Sequence, residues 1–312
     1  MRRRPCAVSR LKGSEGMTGF VFLDKDEDMT SFFAASRLRR IFSTKKVGHT
    51  GTLDPMATGV LPVAIGGATR FIDFIPDSDK SYKARFLLGK STDTLDITGK
   101  VLGEKEVNVT RRDIENILPE FTGEIFQLPP MYSALKKDGV RLYDLARQGI
   151  EVEREKRLIT VYSLSLTDYE AENEFEIEVS CSKGTYIRSL IDDMGRKLGC
   201  GAVMTALRRT RANGADISEC ITLGELSELK ERGKEASALH SVDRLLPYDI
   251  IKVTDSQAKR FSNGGELDTE RLRINPREGL YRVYSHQGRF LGLGEIKEDK
   301  KQLRVKRVFV EL

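Results

Sequence analysis

The chain has 312 residues, 39% of them apolar and 32% charged, enough to bury a sizeable core and more length than one domain of about 100–150 residues needs. Its longest uncharged apolar run, around 60–65, is far short of the roughly 20 residues of a membrane helix. Cys6, Cys181, Cys200 and Cys220 form no C-x-x-C pair, and His49, His240 and His286 lie far apart in sequence, which argues against a disulfide scaffold and a zinc site and fits a reducing, cytoplasmic setting.

The net charge of +5 is concentrated at the start, where Arg2, Arg3, Arg4, Arg10 and Lys12 face only Glu15. Residues 1–16 lack the apolar run of a secretory signal and read as a disordered basic extension, with Met17 as the expected start of the folded body. The rest of the chain is close to neutral, so any affinity for nucleic acid must come from local clusters. Three clusters stand out: Arg37, Arg39, Arg40, Lys45 and Lys46; then Arg208, Arg209 and Arg211; then Lys300, Lys301, Arg304, Lys306 and Arg307. A solvated surface face is the plain alternative for each.

In chain order, Phe20 to Lys25 reads as a strand. Thr30 or Ser31 then caps a helix to about Phe42, with Ala34, Leu38, Ile41 and Phe42 on one stripe and Arg37 and Arg40 opposite. A glycine-rich loop, Gly48-His49-Thr50-Gly51-Thr52-Leu53-Asp54-Pro55, precedes a short buried strand at 60–65. Alternation places Tyr82, Ala84, Phe86 and Leu88 on one strand face, and Phe175, Ile177, Val179 and Cys181 on another. Segments 111–118 and 143–148 look helical, and Thr185 is positioned to cap a helix carrying Ile187, Leu190, Ile191, Met194 and Leu198, ended by Gly199. Strand and helix signals interleave without a strict βαβ repeat, which favours an α+β fold. From about 247 short strand-like runs at 250–253, 279–284, 289–294 and 303–310 predict a small β-barrel-like domain.

The loop 48–55 carries the chemistry. It holds two threonines, a histidine and one carboxylate fixed by the following proline, with glycines that let the backbone approach a ligand. It has neither a Walker pattern nor G-x-G-x-x-G, so a nucleotide cofactor is not expected. Asp54 before proline serves equally as a turn-former. Arg188 falls in the first turn of its helix, where the dipole disfavours a cation by roughly 0.3–1 kcal/mol. A carboxylate partner would offset that, and Asp54 is the candidate; a surface arginine without a role is the alternative. Tyr82 begins its strand, where a ring on the core face can also reach a cleft, and base stacking on such rings is worth about 1–3 kcal/mol.

Together these residues resemble the TruB family of pseudouridine synthases. The resemblance runs from Gly19 to the end of the chain and rests on GHTGTLDPMATGVLP, DSDKSYKARFLLGKSTDTLDITG, PPMYSALKKDGVRLYDLARQGIEV and SKGTYIRSLIDDMGRKLGCGA. The final segment is similar to a PUA domain, an RNA-binding barrel. One stretch departs: where the family reads L-x-K-P-x-G-x-T-S, this chain has Leu23-Asp24-Lys25-Asp26-Glu27-Asp28-Met29-Thr30-Ser31, without the proline and glycine.

The resemblance implies a pseudouridine synthase fold, α+β with a mixed, mainly antiparallel central sheet flanked by helices, in a catalytic domain over 17–246, and a PUA-like β-barrel over 247–312. It implies that uridine at position 55 in the tRNA T-loop is isomerised to pseudouridine after base flipping. Asp54 matches the nucleophile, Arg188 its paired arginine, and Tyr82 the tyrosine stacking on the target base. Tyr186 and Leu207 match residues lining the uracil pocket, and His49 the histidine that fills the gap left by the flipped nucleotide. No metal or other cofactor is implied, and the expected partner is the T-arm of tRNA, with no membrane, no obligate protein partner and a monomeric chain. Two other readings stand beside it: a non-catalytic RNA-binding or tRNA-folding protein, and a guide-RNA-dependent pseudouridine synthase.

Overall fold

The computed structural model describes residues 16–309 other than Asp77, Arg273, Ile274 and Pro276. The basic extension expected over 1–16 lies outside the described residues except for Gly16, as does Val310 at the end of the last expected strand.

Period-two patterning dictates the central sheet. Along Lys80–Leu88 the inward residues Tyr82, Ala84, Phe86 and Leu88 are buried, while Lys83 and Arg85 face outward. Glu174–Cys181 behaves alike, burying Phe175, Ile177, Val179 and Cys181. These two strands pair antiparallel at the middle of a nine-stranded sheet. Its order is Gly19–Lys25, Thr58–Ile65, Ala202–Ala212, Lys80–Leu88, Glu174–Cys181, Arg157–Ala171, Gly123–Gln127, with Val47–His49 and Ala215–Asp216 attached at one end. Among the described strands of this sheet the one parallel pairing joins Thr58 and Gly59 to Arg208 and Arg209. The sheet is therefore mixed and mainly antiparallel, the architecture expected from the sequence.

Helices cover the sheet through the stripes their sequences carry. Ser31–Ile41 is capped by Thr30, whose hydroxyl accepts the Phe33 N–H at 3.1 Å, and it buries Ala34, Leu38 and Ile41. Ile187–Lys197 buries Ile187, Leu190, Ile191 and Met194 against Phe86, Ile177 and Val179; each such side chain contributes about 1.5–3 kcal/mol on burial. Its N-cap is Tyr186, not the expected Thr185, whose hydroxyl donates instead to the Ser182 carbonyl.

Beyond Leu246, the strands Asp249–Val253, Gly279–Ser285, Phe290–Ile296, Gln302–Val308 and Leu267–Asp268 form a curled five-stranded sheet. The helix Asp255–Ser262, which sequence periodicity does not reveal, closes one side by burying Phe261 among Ile251, Val283 and Leu303. Phe71 packs with Phe290 and Phe309, joining this sheet to the larger body.

Candidate active site

The loop that ends in Asp54 is held from several sides. Ser31, at the start of its helix, both accepts the Leu53 N–H at 2.8 Å and donates to the Leu53 carbonyl at 3.1 Å. Lys25, at the end of the first strand, is fully buried, and its ammonium donates to the carbonyls of Asp26, Met29 and Pro55 at 2.8, 2.8 and 3.1 Å. Desolvation pulls its pKa down to about 8, against the opposing pull of Asp26, Asp28, Asp54 and Glu27. One cation thereby ties the turn after the first strand to the turn containing Asp54. Asp28, at the glycine of the family pattern, has φ 58°; aspartate is among the few residues other than glycine that take this left-handed conformation. Its neighbours Asp26 and Glu27 are exposed.

From the opposite side the sheet supplies Arg209, nearly inaccessible at 1% exposure. Its guanidinium donates to the carbonyls of Val60 at 2.7 Å, and of Thr52 and Gly51 at 3.4 Å each, and it lies within electrostatic reach of the Tyr82 hydroxyl. Here a glycine is obligatory: Gly59 has φ +101°, and a Cβ there would lie 2.2 Å from the Arg209 carbonyl oxygen.

Asp54 itself meets Arg188, with Oδ2 2.9 Å from Nη2. The arginine side chain is 7% exposed and the carboxylate 39%, so the acid opens to solvent from a buried cationic base. Arg188 is further fixed by donation to the carbonyls of Thr94 at 3.0 Å and Tyr132 at 2.9 Å. A second carboxylate, Asp96, approaches it at 3.6 Å and is itself 7% exposed. Asp96 Oδ1 accepts from the hydroxyls of Thr94 and Thr98 at 2.8 and 2.6 Å, and from the Thr98 N–H at 3.1 Å. Such bonds hold the carboxylate in one orientation. The arginine thus balances two acids.

The other expected residues gather round this pair. Tyr82 is buried beside Leu53, Ala57 and Leu207 in one apolar cluster. Burial drives its pKa up, Arg209 opposes that shift, and the charge of Asp54 reaches it. Leu207 pairs with Ala84 on the neighbouring strand. Tyr186 feels the charges of both Arg188 and Asp54; burial raises its pKa, and Gln127 braces it by accepting its N–H at 2.8 Å and donating to its carbonyl at 3.0 Å. His49 ends the strand Val47–His49, and burial together with Arg209 lowers its pKa, so its imidazole is neutral at pH 7. Its Nδ1 is buried without a hydrogen-bond partner.

Asp96, Lys25 and Arg209 do not stand out in the sequence as parts of this site. The signals are nonetheless there: Leu207 and Arg209 share a strand face by alternation, as do Leu23 and Lys25. The second basic cluster consequently dissolves. Arg209 is internal, Arg208 pairs with Asp24 at 2.7 Å, and Arg211 alone of the three is exposed. In the third cluster Arg304 faces Asp299 and Glu266, and Lys306 faces Glu295. Among the described residues no group of His, Cys, Asp and Glu is placed to hold a metal ion, and no helix is long and apolar enough to cross a membrane.

A mixed, mainly antiparallel sheet flanked by helices and followed by a small curled sheet is the architecture of the pseudouridine synthase folds. Solved structures carry the same arrangement: a chain from a Cbf5–Nop10–Gar1 complex superposes with a TM-score of 0.72 and 27% identity, covering 95% of this chain and 85% of that one. Residues 39–187 match the N-terminal domain of the TruB family of pseudouridylate synthases, 188–251 the C-terminal domain of tRNA pseudouridylate synthase B, and 250–309 the C-terminal domain of pseudouridine synthase II TruB. The chain belongs to the TruB family. It is 46% identical over 296 residues to the tRNA pseudouridine synthase B of Pseudomonas fluorescens, covering 94% of this chain and 95% of that protein. To the enzyme of that name from Clostridium perfringens it is 44% identical over 300 residues, covering 95% of this chain and 100% of the other.

Proposed function

We propose that the protein converts uridine to pseudouridine in tRNA, at position 55 of the T-loop, acting as a stand-alone monomeric enzyme without cofactor or obligate protein partner. The observation that carries this reading is the half-exposed Asp54 carboxylate set 2.9 Å from the buried Arg188 guanidinium. The reaction breaks the C1′–N1 bond, turns the uracil and joins C1′ to C5; C5 gives up a proton and N1 gains one, so no atom is added overall. Attack at C6, attack at C1′ and a glycal route all require an aimed carboxylate at this place, which Asp54 supplies and Arg188 orients through Oδ2.

A stacked loop hides N1 and C5, so the nucleotide must be extruded, at a few kcal/mol. Tyr82, Tyr186 and Leu207 form the receiving surface, and the neutral His49 is the group that fills the vacated stack. We assign catalysis to residues 17–246 and RNA binding to 247–312, with Arg37, Arg39 and Arg40 contributing phosphate contacts.

Asp54→Asn tests the assignment. Pseudouridine formation in unmodified tRNA should vanish while tRNA binding survives; near-normal turnover would exclude Asp54 as nucleophile. Likeness to chains of H/ACA ribonucleoprotein structures favours a guide-dependent enzyme as the second reading, and activity of the purified chain alone on tRNA separates the two.

A further inference from the structure

Two large apolar side chains stand exposed at one point of the surface: Phe32 at 66% and Phe33 at 50%. Scattered exposed apolar residues need no account, but adjacent rings tied to a functional loop do. They follow Ser31 directly, and Ser31 holds both main-chain groups of Leu53, the residue before Asp54. The rings are thus tied through Ser31 to the loop that carries the carboxylate. Their helix contains no acid, and its exposed side carries Arg37, Arg39 and Arg40. Among the described residues none of these three has a carboxylate within ion-pair distance, and the Arg39 guanidinium lies 5.7 Å from the centre of the Phe32 ring. Asp26, Glu27 and Asp28, in the turn before the helix, are exposed and repel a polyanion.

We infer that Phe32 and Phe33 form a stacking platform for unpaired RNA bases next to the uridine at Asp54, while Arg37, Arg39 and Arg40 track the phosphates; this rests on the RNA-modifying function proposed above. Flat apolar rings with unpaired guanidinium groups beside them match a single-stranded nucleic acid, which offers a base face and a charge at each step. Phosphates are repelled near the acidic turn and attracted along the arginines of the helix.

The test is equilibrium binding of an end-labelled, unmodified T-arm stem-loop across a salt series. Phe32→Ser/Phe33→Ser should weaken binding by about tenfold or more with an unchanged salt slope, because stacking releases no counterions. Arg37→Gln/Arg39→Gln/Arg40→Gln should instead flatten the slope, by about 0.7 for each phosphate no longer neutralised. Phe32→Tyr/Phe33→Tyr, which keeps the rings, should restore affinity and guards against a folding defect in the serine variant. Affinity of the serine variant within about twofold of wild type overturns the platform, as does sedimentation showing that the rings hold two copies of the chain together instead. Pseudouridine formation by wild type is scored on the same stem-loop: its absence strikes the proposed function, whereas the ring substitutions strike only the platform.

Discussion

Asp96 approaches Arg188 at Nη1, its Oδ2 3.6 Å away, while Asp54 lies 2.9 Å from Nη2; the Asp96 and Arg188 side chains are each 7% exposed. The base of the site is thus an acid–arginine–acid array in which only Asp54 opens outward.

Asp96→Asn should retain the threonine hydrogen bonds and lose the charge. With its second anchor neutral, Arg188 turns toward Asp54 or away from it, and turnover should fall about tenfold, the size of an electrostatic change of roughly 1.4 kcal/mol. Single-turnover rates of pseudouridine formation measure this; an unchanged rate would reduce Asp96 to a scaffold residue.

Arg209→Lys keeps the charge but cannot reach the carbonyls of Val60, Thr52 and Gly51 together. Stability should drop by about 2–3 kcal/mol in chemical denaturation, with kcat reduced more than KM because the loop carrying Asp54 loosens. A variant of wild-type stability would show that the carbonyls find other donors.

Gly59→Ala places a methyl group 2.2 Å from the Arg209 carbonyl oxygen at φ +101°. The parallel pairing beside the catalytic loop must part, and the loss should exceed about 3 kcal/mol. A denaturation midpoint close to wild type would mean that this pairing is dispensable.

Lys25 titrates at about 8 in the folded protein against an ordinary 10.5. Between these values the unfolded chain binds a proton that the folded protein has released. The penalty of burying the charge is therefore full below pH 8 and is relieved as pH rises toward 10.5. Cysteines and tyrosines with raised values act in the opposite sense at the upper end, so the comparison is with Lys25→Met, which carries the same background. Wild-type stability relative to that variant should climb across this window; parallel curves would refute the buried charge.

In the third basic cluster Arg304 and Lys306 already face carboxylates. Lys300 and Lys301, with no carboxylate in ion-pair distance among the described residues, should carry the contribution to tRNA affinity. Lys300→Ala/Lys301→Ala should reduce the salt slope of binding and Arg304→Gln should leave it nearly unchanged; equal effects would rule out this division.

The strands at the centre of the sheet were legible because one face is buried and the alternation is unbroken from Tyr82 to Leu88. The pairing of Asp54 with Arg188 was legible because a cation in the first turn of a helix asks for an anion. Asp96 was not, since it lies in a run of threonines and acids in which no spacing marks one carboxylate as internal. Arg209 was hidden by its neighbours: read as a cluster, three nearby arginines suggest a surface, and only placement on a strand separates the inward one from the others. The helix Asp255–Ser262 was missed because Phe261 is its one large buried side chain, too little to make a stripe.

Lys25 and Arg209 grip the neighbourhood of Asp54 by main-chain oxygens, at Pro55, Met29, Thr52 and Gly51. Every amino acid offers that oxygen. Thr50 is committed to Asn213 and Leu53 to the core, but the side chains at positions 51 and 52 can accordingly be exchanged to suit a different nucleic acid while the path of the chain, and the aim of its acid, stay as they are.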